Sequence, residues 1–245
     1  MLISHNQLYQ NKCSKKNFYY NIQGKKREPQ TSLEHIKSNK QSFFYPLISF
    51  YGQQKVGDLS ITNLQRLPQN SLRGESLSSP KNRVFLPKIK KLGIENVIDL
   101  RKQYASDVFP ELCKKNGLNY YSIPVDSFSI TDEEIISNLP RLFELIDKGN
   151  FYIACAQGLH RTDIALSLNY VFNPHSINPP ILYGHEREYG LKVDDISRRL
   201  HSIKKKLTPE DIRKFGFSDS DNFESVFRNR KAKLYDFNKA YLNSK

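Results

Sequence analysis

From about residue 56 onward, short apolar runs alternate with longer segments in which apolar residues recur at helical spacing. The runs at 95–101 and 151–155 are almost continuously apolar, which is typical of strands buried on both faces of a parallel sheet. The longer segments carry apolar residues three or four positions apart, as in helices that bury one face. The alternation predicts an α/β fold with a central, mostly parallel sheet flanked by helices.

The same pattern gives the individual elements. Residues 63–68 and 71–76 are expected to form a strand pair, and 118–125 a further strand. Thr131 and Glu134 have the spacing of a capping box, which marks a helix start. Pro87 predicts a break or a late start in the first helix. Helices are expected at about 80–94, 105–117, 131–149, 161–172, 192–207 and 221–242, the last two forming a C-terminal extension from about 192.

Residues 1–55 differ from the rest in composition. Lys, Asn, Gln and Ser dominate, and neither a helical nor a strand period is sustained. We expect a basic, loosely ordered N-terminal arm, followed by one domain over residues 56–245. The apolar stretch FFYPLISFY (43–51) interrupts the arm, and either packs on the domain or contacts a membrane surface.

Charge and cysteine content limit the binding partners and the cellular compartment that we expect. The 38 Lys and Arg against 25 Asp and Glu leave +13, which attracts polyanions such as nucleic acid, anionic lipid, phosphoproteins or inositol phosphates without choosing among them. No apolar run approaches the roughly 18 residues of a membrane span, and the start does not resemble a signal peptide. Cys13, Cys113 and Cys155 suggest neither a disulfide framework nor a zinc site, and Cys113 is expected in the core. We therefore expect a cytoplasmic protein.

The stretch CAQGLHRT (155–162) lies between a strand-like and a helix-like segment. A loop that leads from a strand into a helix N-terminus can aim several backbone N–H groups at one phosphate. Gly158 permits a torsion that other residues resist, and Arg161 can grip two phosphate oxygens. The positive field favours a thiolate at Cys155, a nucleophile that would form a phosphocysteine. Thr162 can donate a hydrogen bond to the sulfur.

These residues resemble the cysteine-dependent protein tyrosine phosphatase superfamily, in particular its compact dual-specificity branch. Its motif reads His-Cys-x5-Arg-Ser/Thr, usually with Gly three residues after the Cys, and four residues of this chain match. The upstream segments LRGES, LGIENVIDLR and YYSIPVD also resemble small bacterial and atypical members, so the resemblance covers about residues 60–172. It implies a dual-specificity phosphatase-like fold and a phosphate-binding loop of Ala156, Gln157, Gly158, Leu159 and His160 between Cys155 and Arg161.

The resemblance also implies a general acid and reveals two departures. Asp126 lies 29 residues before Cys155, directly after a strand, and is the expected acid; Asp132 is its rival, and is otherwise a charge at a helix N-terminus. Ala154 stands where the family has His. Asp163 stands where it has Gly, and either repels the substrate or caps the helix facing solvent.

Four further residues keep two interpretations each. His160 before Arg161 resembles atypical members that cleave inositol pyrophosphates, and is otherwise a solvent-facing loop residue. Arg101 either faces the phosphate site or, as we favour, pairs with a carboxylate. Arg73 and Gly74 either line the pocket mouth or, as is simpler, form a turn.

The sequence thus predicts a phosphatase that hydrolyses phosphate monoesters of phosphotyrosine, phosphoserine or phosphothreonine proteins through Cys155, without a metal ion or cofactor. The alternatives are an inositol (pyro)phosphate or RNA 5′-triphosphate phosphatase, or a catalytically weak phosphate-binding module. The expected partner is a phosphorylated protein or an inositol phosphate, and the basic arm is expected to contact an anionic partner.

Overall fold

A five-stranded sheet forms the centre of the molecule in the computed structural model, which describes residues 56–101, 108–125, 130–182 and 193–243. The strands lie side by side in the order β1-β2-β5-β3-β4. β1 runs antiparallel to β2, and all other neighbours are parallel, which confirms the predicted α/β architecture. The strands are β1 (Gln65–Leu67), β2 (Ser71–Glu75), β3 (Asn96–Asp99), β4 (Asn119–Ser122) and β5 (Phe151–Cys155).

The helices follow the predicted order closely. The first predicted helix is split, because Pro87 lies in the first turn of a second helix, where its missing N–H costs nothing. Thr131 and Glu134 form the predicted capping box, and Thr208 and Asp211 form another. The N-terminal arm over residues 1–55 lies outside the described residues. The helices are α1 (Pro80–Arg83), α2 (Leu86–Lys91), α3 (Val108–Lys115), α4 (Asp132–Lys148), α5 (His160–Phe172), α6 (Val193–Lys206), α7 (Pro209–Lys214) and α8 (Phe223–Asn243).

Side chains of β5 alternate between two apolar clusters, one on each face of the sheet. Tyr152 and Ala154 pack with residues of α2 and α3, whereas Ile153 and Cys155 pack with α4, α5 and the C-terminal helices. Cys113 is fully buried in the first cluster, as predicted, and this burial raises the pKa of its thiol to about 12. The two described cysteines therefore lie on opposite faces of the sheet.

The C-terminal helices belong to the core. Phe172 at the end of α5 stacks on Phe227 of α8, with ring centroids 5.6 Å apart, and lies 6.4 Å from Phe215. Ile196, Leu200 and Ile203 of α6 are buried in the same cluster. The extension from about 192 is thus part of the packed domain. No helix in the described part of the chain is long and apolar enough to cross a membrane.

The parallel strands end at one edge of the sheet. Glu75, the last residue of β2, is paired with Cys155, and Asp99 at the end of β3 is paired with Ala154. The carboxyl edge of parallel strands is the usual place for a site in an open α/β sheet. Cys155 therefore ends the central strand at this edge.

Candidate active site

The cysteine loop, residues 155–161, connects β5 to α5, and the surrounding scaffold holds its outer side. Three consecutive carbonyl oxygens accept hydrogen bonds from the scaffold, and the next one, of Leu159, accepts the first helical bond of α5. The donor–acceptor pairs are Ser76 N to Ala156 O at 3.2 Å, Asn63 Nδ2 to Gln157 O at 2.7 Å, Arg73 Nη2 to Gly158 O at 2.7 Å and Asp163 N to Leu159 O at 2.8 Å.

This arrangement turns the loop's N–H groups toward the other side. In a planar trans peptide the N–H of one residue points opposite to the carbonyl of the residue before it. The N–H groups of residues 157–160 therefore point away from the scaffold, and they have no acceptor among the described residues. They lie where α5 begins, at the positive end of the helix dipole. The loop is shaped to receive an anion.

Gly158 is required at its position for two reasons. Its φ of +70° lies in the left-handed region. A Cβ there would also lie 2.8 Å from Gly74 Cα and closer still to the Gly74 carbonyl. Gly74 lies inside β2, in neither the turn nor the pocket mouth considered from sequence. The close approach of Gly158 to Gly74 brings the loop directly against β2.

Three of the four candidate catalytic residues, Cys155, Arg161 and Thr162, lie in the cysteine loop and the first turn of α5. Cys155 is 3% exposed at the base of the loop. Arg161 is partly exposed and makes no hydrogen bond or ion pair with any described residue, so its guanidinium is available. The hydroxyl of Thr162 is buried without a hydrogen-bond partner among the described residues. Ala156 and Gln157 are exposed, and His160 is partly exposed as the first residue of α5.

Asp163 does not face a phosphate or the solvent, so both interpretations of it from sequence are wrong. Its carboxylate is 0% exposed and forms an ion pair with Arg73, with Oδ1 2.6 Å from Nη2. The physical reason is the burial of α5 along almost its whole length, which turns Asp163 inward. Arg73 is likewise misplaced by the sequence interpretation, because it lies fully buried in the middle of β2.

Arg101 pairs with a carboxylate, as favoured from sequence. Its Nε and Nη2 donate to the two oxygens of Asp99 at 2.8 and 2.6 Å, and Nη2 also donates to Ser78 Oγ at 2.7 Å. Burial opposes its charge, but the hydrogen bonds and charge of Asp99 raise its pKa, with smaller contributions from Tyr120 and Cys155. The charge of the buried Arg101 is thus balanced by Asp99.

The two candidate acids have different outcomes. Asp126 lies outside the described residues, and its role stays a prediction. Asp132 is the first residue of α4 and is buried, with its oxygens 2.6 Å from Arg199 Nη1 and 2.7 Å from Ser202 Oγ. These contacts tie α4 to α6, which gives Asp132 a structural role.

Sequence reasoning missed the residues that hold the cysteine loop from behind. Asn63 and Ser76 bind loop carbonyls, whereas the sequence predicted them only as end residues of the strand pair 63–68 and 71–76. A signal did exist for Asp163 and Arg73. The segment DIALSLNYVF is apolar around the whole helix, which indicates burial on all sides. A carboxylate in such a helix needs a buried cation, which Arg73 supplies from the buried strand β2.

No protein-family model matches the sequence, and no curated protein matches it. Among solved structures, the chain is similar to the core catalytic domain of the PP-IP phosphatase SIW14 from S. cerevisiae. The two sequences are 14% identical, the match covers 70% of this chain and 94% of that chain, and the TM-score is 0.38. It is also similar to P. aeruginosa TpbA in complex with phosphotyrosine, with 14% identity, 69% and 90% coverage and a TM-score of 0.38. A putative phosphatase from Shewanella putrefaciens has 16% identity, 71% and 95% coverage and a TM-score of 0.37. The first of these three proteins is named a phosphatase and the third a putative phosphatase.

Proposed function

We propose that the chain is a cysteine-dependent phosphatase that hydrolyses phosphate monoesters through Cys155. The observation that carries the proposal is the cysteine loop itself. Three carbonyls are bound from behind and a fourth by the first turn of α5, the opposing N–H groups have no acceptor among the described residues, and the nucleophile ends the adjoining strand. Arg161 lies at the end of the same loop with its guanidinium available. This combination serves a thiolate that attacks a bound phosphate.

The reaction has two displacements at phosphorus. The Cys155 thiolate attacks, a bond forms between sulfur and phosphorus, and the bond to the ester oxygen breaks. Asp126 donates a proton to the leaving oxygen. Water then attacks the phosphocysteine and gives its proton to Asp126, so that inorganic phosphate and the thiolate are restored. The loop N–H groups and Arg161 stabilise the phosphoryl oxygens in both steps, and Thr162 donates to the departing sulfur.

The substrate class that we propose is a phosphorylated protein, with phosphotyrosine, phosphoserine or phosphothreonine as the ester. A monoester of this kind needs one phosphate cradle and one cation, for which we propose the cysteine loop and Arg161, and one acid, for which we propose Asp126. The positive net charge of +13 favours such anionic substrates in general.

Hydrolysis of p-nitrophenyl phosphate in the presence of EDTA tests the mechanism. We expect Cys155→Ser to abolish turnover and a phosphorylated wild-type chain to be trapped by rapid acid quench and mass spectrometry. Cys113→Ala is the matched control, because Cys113 is buried on the opposite face of the sheet and should leave kcat unchanged. Equal turnover in the wild type and Cys155→Ser would exclude the mechanism. A well-folded wild type that binds phosphate without turnover would instead indicate a phosphate-binding module.

A further inference from the structure

We propose that Arg73 is a positioning residue for the reaction: it fixes the orientation of the N–H groups of Leu159 and His160, and Asp163 is the counter-charge that lets an arginine occupy this place. The inference rests on the proposed function and deepens it. It assigns a task to two fully buried charges that take no part in the chemistry itself.

The Arg73 side chain reaches the cysteine loop from β2 and contacts several groups at once. Its Nη2 lies 2.7 Å from Gly158 O and 3.4 Å from Leu159 O, and the same nitrogen lies 2.6 Å from the Asp163 carboxylate. Its Nη1 donates to Ile181 O at 3.4 Å. The guanidinium is planar and rigid, so the bond from Nη1 to Ile181 O also fixes the direction in which Nη2 meets the two loop carbonyls.

Binding these two carbonyls determines where the next N–H groups point. The Gly158 carbonyl belongs to the same peptide plane as the Leu159 N–H, and the Leu159 carbonyl to the same plane as the His160 N–H. Gly158 is the most permissive residue of the loop, so its peptide would rotate readily without such a restraint. Arg73 therefore holds two of the N–H groups that would bind phosphate.

Asp163 is the counter-charge that the buried Arg73 requires. A buried arginine without a counter-charge is strongly destabilising. Asp163 supplies that charge from the first turn of α5, where the helix dipole favours a carboxylate. The pair is neutral overall. The positive field at the phosphate site therefore comes from the N–H groups and Arg161, and Asp163 does not repel the substrate.

The variant Arg73→Lys distinguishes a positioning role of Arg73 from a role in charge balance alone. Arg73→Lys keeps a cation beside Asp163, but a single ammonium nitrogen lacks the planar group in which Nη1 is held by Ile181 O while Nη2 faces the loop carbonyls. A purely structural ion pair would tolerate this change. A positioning residue would not, because the loop N–H groups would lose their alignment.

The test compares three variants in two assays. Calorimetry measures the affinity for inorganic phosphate in a Cys155→Ser background. The kinetics of p-nitrophenyl phosphate hydrolysis are measured with Cys155 intact. The variants are Arg73→Lys, the neutral pair Arg73→Met with Asp163→Asn, and Arg230→Met as control. Arg230 also donates to backbone carbonyls, those of Tyr170, Asn173 and Pro174, but at the far end of α5. Its loss should lower Tm without changing the phosphate Kd.

We expect Arg73→Lys and the neutral pair to weaken phosphate binding and lower kcat by about tenfold to a hundredfold, as a small misplacement of catalytic groups does. Wild-type phosphate affinity and kcat/KM in a folded Arg73→Lys would overturn the inference. Equal losses in Arg230→Met would also overturn it, because the effect would then reflect general stability.

The wild type is measured first. If it binds phosphate without hydrolysing p-nitrophenyl phosphate, only the proposed function fails, and the phosphate Kd still tests Arg73. If it neither binds phosphate nor hydrolyses p-nitrophenyl phosphate, both proposals fail.

Discussion

Gly158 is the single residue on which the shape of the cysteine loop depends most directly. Its φ of +70° and its approach to Gly74 are independent constraints, and each alone disfavours a side chain. Gly57 offers a natural comparison, because it has a φ of +59° but nothing within 4 Å of a built Cβ. The two glycines therefore separate backbone strain from steric overlap.

We expect Gly57→Ala to lower the free energy of unfolding by about 1–2 kcal/mol, the cost of a left-handed residue with a Cβ. Gly158→Ala should cost more than this and should also weaken phosphate binding, because the loop must move away from β2. Urea unfolding and phosphate calorimetry measure the two effects. Equal unfolding losses in the two variants, with phosphate affinity unchanged in both, would contradict the role given to the contact with Gly74.

At the level of elements, α4 shows how a charge at a helix start can be mistaken for a catalytic group. Asp132 follows the capping residue Thr131 and is adjacent to the segment that contains Asp126. Its contacts with Arg199 and Ser202 join α4 to α6. The two aspartates should therefore respond differently to the same substitution.

We expect Asp126→Asn to lower kcat for p-nitrophenyl phosphate by about a hundredfold or more, as the loss of a general acid does. Asp132→Asn should lower Tm, because Arg199 loses a buried partner, and should leave kcat within about twofold of the wild type. The two variants are compared by their kcat, measured at a temperature well below the Tm of each. The reverse pattern would make Asp132 the acid and would remove Asp126 from the mechanism.

The elements were largely predictable from sequence, whereas the interactions behind the site were not. Periodicity and capping residues locate β5, α4 and α5 because those signals lie within one segment. The Arg73–Asp163 pair joins residues on two distant segments, and only the burial of α5 hinted at it. The support of Gln157 by Asn63 had no signal, since a side-chain amide binding a distant carbonyl leaves no periodic pattern.

At the scale of the whole molecule, the net charge of +13 should act on association rather than on the chemical step. Exposed charges act across about 30 Å at 0.01 M salt but only about 8 Å at 0.15 M. A substrate with many negative charges should therefore be attracted from a distance at low salt and much less at high salt. Binding of a substrate that has one phosphate and uncharged surroundings should depend mainly on the cysteine loop.

Two phosphotyrosine peptides, one with acidic and one with uncharged flanking residues, test this effect. We expect kcat/KM for the acidic peptide to fall by about tenfold or more between 0.01 and 0.15 M salt, and that for the uncharged peptide to fall much less. The kcat of both should change little, because the buried groups around Cys155 are poorly screened by salt. Equal salt dependence for the two peptides would mean that the basic residues do not steer substrate. The charge would then have to act on some other partner, and recognition of the substrate would rest on the groups of the cysteine loop alone.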